Sequence, residues 1–369
     1  MGITVDHIAK SIRGQEILRD ISFDVADGDF ATILGATGSG KTSLLRIIAG
    51  IDRPDAGRIL FDGEDVTAWP VQRRNVAFVY QQFVNYPSLT VFENIASPLR
   101  VSKASLSKEE LTRRVDETAE LLGLSAILHH RPEEISGGQQ QRCAIARALV
   151  KGSKYIFLDE PLANLDYKLR EELRGELKRI FRDRGGCAIY ATPEPVDALS
   201  MATHVGYMQD GQLVQYGPTQ EVYKRPAHRD VGAYFSYPEM NILSCIACEE
   251  NDALWIKVSD SFRIPWPWDR DDYRPGEYLV GIRAHELRPT LESENTHLRG
   301  TVELAEVVGS DTELHLKHES HSLLALLPSL KTFSIGDSIS LTLSPEKCFL
   351  FDATTGELKH VPASDAVGV

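Results

Sequence analysis

A chain of 369 residues has room for two or more domains with cores of their own, and 42% apolar with 25% charged residues is the balance of a globular protein. The formal charge of −13, from 40 basic against 53 acidic residues, argues against nucleic acid as the main partner, because phosphate backbones reward the opposite sign. No apolar run approaches the roughly 18 residues of a membrane span, and Met1-Gly2-Ile3-Thr4-Val5-Asp6 lacks the basic and apolar parts of a signal peptide, so a cytoplasmic chain is expected.

In chain order, residues 3–8 and 17–25 read as paired strands, followed by a turn at Asp27-Gly28. The short apolar run Phe30-Ala31-Thr32-Ile33-Leu34 then delivers Gly35-Ala36-Thr37-Gly38-Ser39-Gly40-Lys41-Thr42, which fits G-x-x-x-x-G-K-[ST] at every fixed position. Leu44, Leu45, Ile47 and Ile48 share one face of a helix that stops at Gly50, with Pro54 beyond. A strand before the loop and a helix after it are what a phosphate cradle requires. The glycines turn backbone N–H groups inward, the helix N-terminus adds positive potential, Lys41 reaches the β- and γ-phosphates, and the Thr42 hydroxyl ligates Mg²⁺.

Residues 57–61 repeat the strand pattern before Asp62-Gly63, and 76–80 form a buried strand that delivers Gln81. From 88 to 128 the period is helical: Ser107 and Glu110 have capping-box spacing, and Leu111, Val115, Ala119 and Leu122 keep one apolar face until Gly123. Ser136-Gly137-Gly138-Gln139 opens another helix, whose two glycines make an anion site in their own right. The unbroken run Tyr155-Ile156-Phe157-Leu158-Asp159-Glu160 suits a strand buried on both faces. A helix carrying Leu169, Leu173, Leu177, Ile180 and Phe181 inward, a strand at 187–191 and a hairpin about Asp210-Gly211 follow.

Near Tyr237-Pro238 the character changes. Short strands at 254–258, 278–283, 301–308, 313–317, 323–327, 338–343 and 348–351 predict an all-β barrel and divide the chain into 1–236 and 237–369, with the last ten residues a loose tail. Five cysteines are too scattered for a disulfide framework. Cys245-Ile246-Ala247-Cys248 has C-x-x-C spacing, but it lies on a strand run with no second pair, so two ordinary cysteines are expected. Pro265-Trp266-Pro267-Trp268 is read as a packed structural corner in preference to a ligand site.

The order and spacing of Gly35 to Thr42, Gln81, Ser136 to Gln139, Asp159-Glu160 and Leu165-Asp166 resemble the ATP-binding subunits of ABC transporters over about residues 3–241. The resemblance is closest to importer subunits for maltose, other sugars and glycerol phosphate. Those also carry a C-terminal OB-like (TOBE-type) domain, whose recurring pieces Gly281-Ile282-Arg283, Leu287-Arg288-Pro289 and Leu343-Ser344-Pro345-Glu346 resemble. It implies an α/β P-loop NTPase fold with a helical subdomain at about 88–150, followed by an OB-like barrel that regulates or dimerises. It further implies that ATP and Mg²⁺ bind, with Thr42, Gln81 and Asp159 toward the metal, Glu160 polarising the attacking water and Gln81 sensing the γ-phosphate. Residues 83–99, with aromatics Phe83, Tyr86 and Phe92, would grip integral membrane permease subunits. Ser136, Gly137, Gly138 and Gln139 would face ATP on a second nucleotide-binding chain, with Asp166 at the dimer seam. A solute-binding protein outside the membrane completes such a system, and this chain would lie peripherally on the cytoplasmic face of the inner membrane.

Two positions depart from that family pattern. Ala191-Thr192-Pro193-Glu194 places Pro193 where a histidine should contact the γ-phosphate, and proline's side chain has neither donor nor acceptor. Ile12-Arg13-Gly14 offers Ile12 or Arg13 where an aromatic ring usually stacks on adenine. These departures predict a site that binds ATP but turns over slowly, in a heterodimer whose partner supplies the competent site; a homodimer is the alternative assembly. Some bacterial glycerol importers are thought to use two different such subunits, and this chain looks like one of such a pair. Two other functions fit parts of the sequence: a non-transport ABC-type ATPase, or a P-loop kinase acting on a soluble substrate, which leaves Ser136 to Gln139 unexplained.

Overall fold

The computed structural model describes residues 2–82, 84–101, 106–163, 165–290 and 298–362. Phe83 and most of the expected C-terminal tail lie outside the described residues. Two compact units emerge, Met1–Thr219 and Gln220–Val369.

In the first unit, β1 (Gly2–Ile12) and β2 (Gln15–Ala26) form an antiparallel hairpin whose burial alternates along most of each strand. With β4 (Ala56–Phe61) and β5 (Glu64–Asp65) they make a sheet of order β2-β1-β4-β5. A second sheet contains β3 (Phe30–Leu34), β6 (Val76–Val79), β7 (Tyr155–Asp159), β8 (Cys187–Thr192), β9 (His204–Gln209) and β10 (Gln212–Pro218), in the order β10-β9-β3-β8-β7-β6. Its neighbours pair in parallel except for the edge strand β10. Every residue of β3, β7 and β8 is buried, because both faces of the sheet are covered.

One covering layer is α1 (Lys41–Ala49), whose Leu44, Leu45, Ile47 and Ile48 join Ile3, Val5 and Ile8 of β1 and Phe157 and Ile189 of the parallel sheet in one core. The other face carries α2 (Val91–Arg100), α3 (Lys108–Leu121), α4 (Gly137–Val150) and α5 (Tyr167–Arg184), which pack with Phe30, Leu158 and Tyr190 into a second core. Ser107 caps α3 by accepting from Glu110 N at 3.2 Å, as its spacing predicts. The reciprocal half of the expected box is replaced: the Glu110 carboxylate is taken by Arg113 and Arg114, one turn on. Complete boxes instead open α2, at Thr90 and Glu93, and α4, at Ser136 and Gln139. The short α6 (Pro195–Met201) follows β8 directly.

The second unit begins one residue into α7 (Thr219–Lys224) and takes in α8 (Arg229–Tyr234), earlier than the change of character near 237. The reason is hydrogen bonding: Arg283 donates to Tyr223 O at 2.6 Å and to Ser236 Oγ at 3.0 Å, and Leu358 N donates to Ala227 O at 3.0 Å. Its strands are β11 (Asn241–Glu250), β12 (Ala253–Lys257), β13 (Arg263–Pro265), β14 (Gly276–Ile282), β15 (Arg288–Pro289), β16 (Leu298–Val308), β17 (Asp311–His318), β18 (His321–Leu327), β19 (Ser338–Thr342), β20 (Phe349–Asp352) and β21 (Leu358–His360). They form two sheets, β13-β12-β11-β14-β20-β21 and β15-β19-β16-β17-β18, that share a core of Ile256, Val280, Leu314, Leu316 and Leu341. All seven short strands read from the sequence are present, within a few residues of their expected bounds. Cys245 is buried while Cys248, three residues on in the same strand, is only half-buried; an odd spacing sends the two thiols to opposite faces. The Trp266 ring meets Trp268 at 5.0 Å edge to face, and Trp268 stacks on His360 at 4.7 Å with its indole N–H on Val361 O, a packed corner as expected.

Candidate nucleotide site

The loop between β3 and α1 has the geometry its sequence promises. Gly35 and Gly40 have φ of 151° and 105°, and a Cβ on Gly35 would lie 2.2 Å from Met208 O, a backbone atom that cannot step aside. Gly40 caps α1 in a left-handed conformation, turning the helix N-terminus toward the loop. Lys41 is buried to 3% exposure and donates from Nζ to Gly35 O (2.8 Å) and Ala36 O (3.0 Å). Burial lowers its pKa, opposed by the charges of Glu160 and Asp159. Ser39 Oγ is buried and finds no partner among the described residues.

The end of β7 brings two carboxylates to this loop. Asp159 is buried and accepts from Thr42 Oγ1 at 2.9 Å; desolvation raises its pKa. Glu160 sits at φ 45°, the left-handed region a glutamate rarely enters, held there in part by its N–H on Ala191 O (2.8 Å). Its carboxylate lies 3.9 Å from Lys41 Nζ and accepts from Gln81 Nε2 at 3.1 Å. Burial pushes the Glu160 pKa up, and Asp159 and Glu194 push it further in the same direction against Lys41. A carboxylate so placed is a better proton acceptor than an exposed one. Thr42, Gln81, Asp159 and Glu160, expected at one centre, are therefore brought together.

Past β8 the chain runs Thr192-Pro193-Glu194 into α6, with Glu194 as its N-cap residue. Glu194 N donates to Thr192 Oγ1 at 3.0 Å, and the Glu194 carboxylate pairs loosely with Arg170 at 3.7 Å. Beneath this segment lies a polar cluster that reading the sequence did not find. Asp197, 1% exposed, accepts from Arg174 Nε (2.9 Å) and Nη2 (2.7 Å) on one oxygen and from Tyr190 OH (2.8 Å) and Thr192 Oγ1 (3.3 Å) on the other. The readable hint was an aspartate among the apolar residues of α6.

Ser136 Oγ accepts from Gln139 N at 3.3 Å while Gln139 Oε1 accepts from Ser136 N at 2.9 Å, so both residues are occupied in capping α4. Ser136 and Gly137 are exposed, whereas Gly138 is buried under Leu169, which a Cβ would meet at 2.0 Å. Asp166 is exposed and caps α5 by accepting from Leu169 N at 3.0 Å. Ile12 and Arg13 stand at the tip of the β1–β2 hairpin, Ile12 being 48% exposed and Arg13 at φ 52° in the turn. A cavity of about 340 Å³ lies beside the chain that follows Gln81, lined by Phe78, Tyr80, Val84, Tyr86, Pro98 and Arg147. Arg147 braces it, lying 4.3 Å over the Tyr86 ring and donating to Val84 O. Of the aromatics expected there, Tyr86 is exposed, whereas Phe92 packs into the core.

A glycine cradle at a helix N-terminus, a lysine within it and two adjoining carboxylates, one poised to accept a proton, define a P-loop ATPase. Comparison with known proteins narrows the class. Residues 18–163 match the family model described as ABC transporter, and residues 280–351 the model described as TOBE domain. The trehalose/maltose import ATP-binding protein MalK of Thermococcus litoralis is 35% identical over 357 residues, covering 92% of this chain and 94% of that protein. The molybdate/tungstate import ATP-binding protein WtpC of Pyrococcus horikoshii is 38% identical over 338 residues, 90% of this chain and 94% of that one. A solved dimer of the ATP-binding cassette MJ0796, in a post-hydrolysis state bound to ADP and Pi, superimposes with a TM-score of 0.54 at 28% identity, over 59% of this chain and 98% of that one. The chain belongs to the ATP-binding subunits of ABC transporters, in the sugar-importer family with a C-terminal TOBE domain, and is an ATP hydrolase coupled to transport.

Proposed function

We propose that this chain drives import of a sugar, polyol or glycerol-type solute, and that the ATP site on its own P-loop binds nucleotide well but hydrolyses it slowly. The observation that carries the second clause is Pro193. The segment after β8 lies close enough for Glu194 to act on the charge of Glu160, yet the residue at its apex has no side-chain group to offer a γ-phosphate, and the next adds negative charge. On the opposite flank nothing is missing. The Thr42 hydroxyl, the Asp159 carboxylate and Gln81 are an oxygen-donor set suited to Mg²⁺, and the buried Ser39 hydroxyl, without a partner among the described residues, faces the same loop. The metal would neutralise charge on the β- and γ-phosphate oxygens. Glu160 takes the proton of the attacking water, Gln81 orients that carboxylate, and Lys41 leaves the carbonyls of Gly35 and Ala36 for phosphate.

The importer reading is supported by the names of the relatives, which serve trehalose/maltose and molybdate/tungstate; the spread between them fits a subunit that supplies drive while permeases and a solute-binding protein choose the cargo. The cavity beside Tyr86 is the surface for a permease helix, which holds the chain peripherally at the cytoplasmic face of the inner membrane. Ser136, Gly137, Gly138 and Gln139 complete the site of a second chain, favoured as a paralogue because this chain's own site is the weaker one, with Asp166 at the seam. The test is ATPase activity of the chain alone and with its paralogue. The lone chain should bind ATP with little turnover, and Pro193→His should raise kcat by up to about 10²–10³-fold, the worth of one transition-state contact. Strong activity from the lone chain, indifferent to Pro193→His, would overturn the reading.

A further inference from the structure

The polar cluster under the Pro193 segment is buried, and both oxygens of its carboxylate are fully engaged. Asp197 receives two hydrogen bonds on each oxygen, at 2.9 and 2.7 Å from Arg174 and at 2.8 and 3.3 Å from Tyr190 and Thr192. All four residues are buried, Tyr190 at 0%, Asp197 at 1%, Thr192 at 2% and Arg174 at 7% exposure. Thr192 Oγ1 is the junction: it donates inward to Asp197 and accepts outward from Glu194 N at 3.0 Å, spanning residue 193. Arg174 lies on α5, the helix that begins at the Asp166 cap, and Arg170 of the same helix reaches Glu194 at 3.7 Å. A buried carboxylate with every acceptor site filled is rigid, because any rotation leaves an unpaired charge in low dielectric.

We infer that Asp197 is a positioning residue for the ATPase reaction: through Thr192 it fixes the backbone that presents residue 193 to the γ-phosphate side of the site, and through Arg174 it ties that backbone to α5. The segment and the helix then move as one piece, so a shift of α5 at the seam reaches the carboxylate side of the site without a contact to nucleotide. This rests on the reading of position 193 given above. It also separates scaffold from chemical group. The frame for a side chain at 193 is intact, and only the side chain has changed.

Replacing Asp197 itself by alanine would leave Arg174 with Glu171 alone and take the buried Tyr190 and Thr192 hydroxyls off their acceptor, a loss of folding stability that would blur a kinetic readout, so the test uses Thr192. Thr192→Val keeps shape but removes both bonds, and Thr192→Ser keeps the hydroxyl. In the full-length chain with its partner, exchange of the Glu194 amide should quicken at least tenfold in Thr192→Val and stay near wild type in Thr192→Ser. In a Pro193→His background, Thr192→Val should cut kcat at least tenfold with KM for ATP changed less than about twofold, and Thr192→Ser should restore it. Unchanged Glu194 exchange in Thr192→Val, or equal loss in the Ser and Val variants, overturns the inference. A Pro193→His chain that gains no activity while the exchange difference holds would instead sink the slow-site reading and leave the positioning role standing.

Discussion

The two flanks of the nucleotide site are built to the same standard and equipped differently. On the P-loop flank, backbone and side chains agree: glycines turn where a Cβ would strike Met208 O, Lys41 is buried at the centre, and Thr42 meets Asp159. On the flank after β8 the backbone is tied through Thr192 to Asp197, but the residue within that tie is Pro193. Position and reactivity are thus specified by different residues. On the proposed reading, a reacting group is lost at residue 193 while the frame that would aim it is kept, so binding and turnover are to be tested on separate flanks.

The strongest test of this comparison is to damage one flank at a time. Lys41→Ala should raise the Kd for ATP by about 10²-fold, because truncating one partner of a buried charge pair costs about 2–5 kcal/mol. Pro193→Ala, which removes no side-chain donor or acceptor, should leave Kd within about twofold. Titration with a fluorescent ATP analogue measures both. Equal effects would erase the distinction between the flanks.

The P-loop flank was the legible one, because its function is carried by backbone conformation over eight consecutive residues, and local chemistry dictates local shape there. Strands β3, β7 and β8 were legible as unbroken apolar runs for a related reason: burial on both faces removes the alternation that marks a half-exposed strand. Ser107 and Glu110 show where local reading falters, since Arg113 and Arg114 lie at helical spacing from the same carboxylate and win it. The Asp197 cluster draws on α5, β8 and α6, whose meeting is decided by sheet order, so its charge pairing had no signature at any fixed spacing. The departures at Pro193 and Ile12 could be read only because a family pattern said what should stand there.

A smaller effect sharpens the electrostatic side of the comparison. Asp159 is held buried with its pKa raised, chiefly by desolvation. In the folded chain it keeps its proton to higher pH than in the unfolded chain, so the stability it contributes is full below the ordinary carboxylate range and is lost as pH rises through the folded value. Asp159→Asn, which retains an acceptor for Thr42, should therefore stabilise the nucleotide-free protein at pH 7 by about 0.5–2 kcal/mol. The gain should vanish in melts near pH 4. A destabilised variant at pH 7 would mean that the charge is already compensated within the apo site.

The smallest effect lies at the hairpin tip. Ile12 precedes the Arg13-Gly14 turn, and β2 runs from that turn against the P-loop, where a Cβ on Gly40 would lie 2.9 Å from Ile17 O. If adenine binds on this side, as the family resemblance implies, it would meet a half-exposed aliphatic chain, which offers contact area but no π face. Ile12→Tyr supplies the ring on the same strand end, where aromatic residues are well tolerated. Stacking adds about 0.5–1.5 kcal/mol beyond the area it covers, so Kd for ATP and ADP should tighten together by about 2- to 10-fold. kcat should not move, because adenine contacts are made equally before and during reaction. A variant that raised kcat while leaving Kd alone would place the deficit of this site at the hairpin, not at Pro193, and the two flanks would no longer divide binding from turnover.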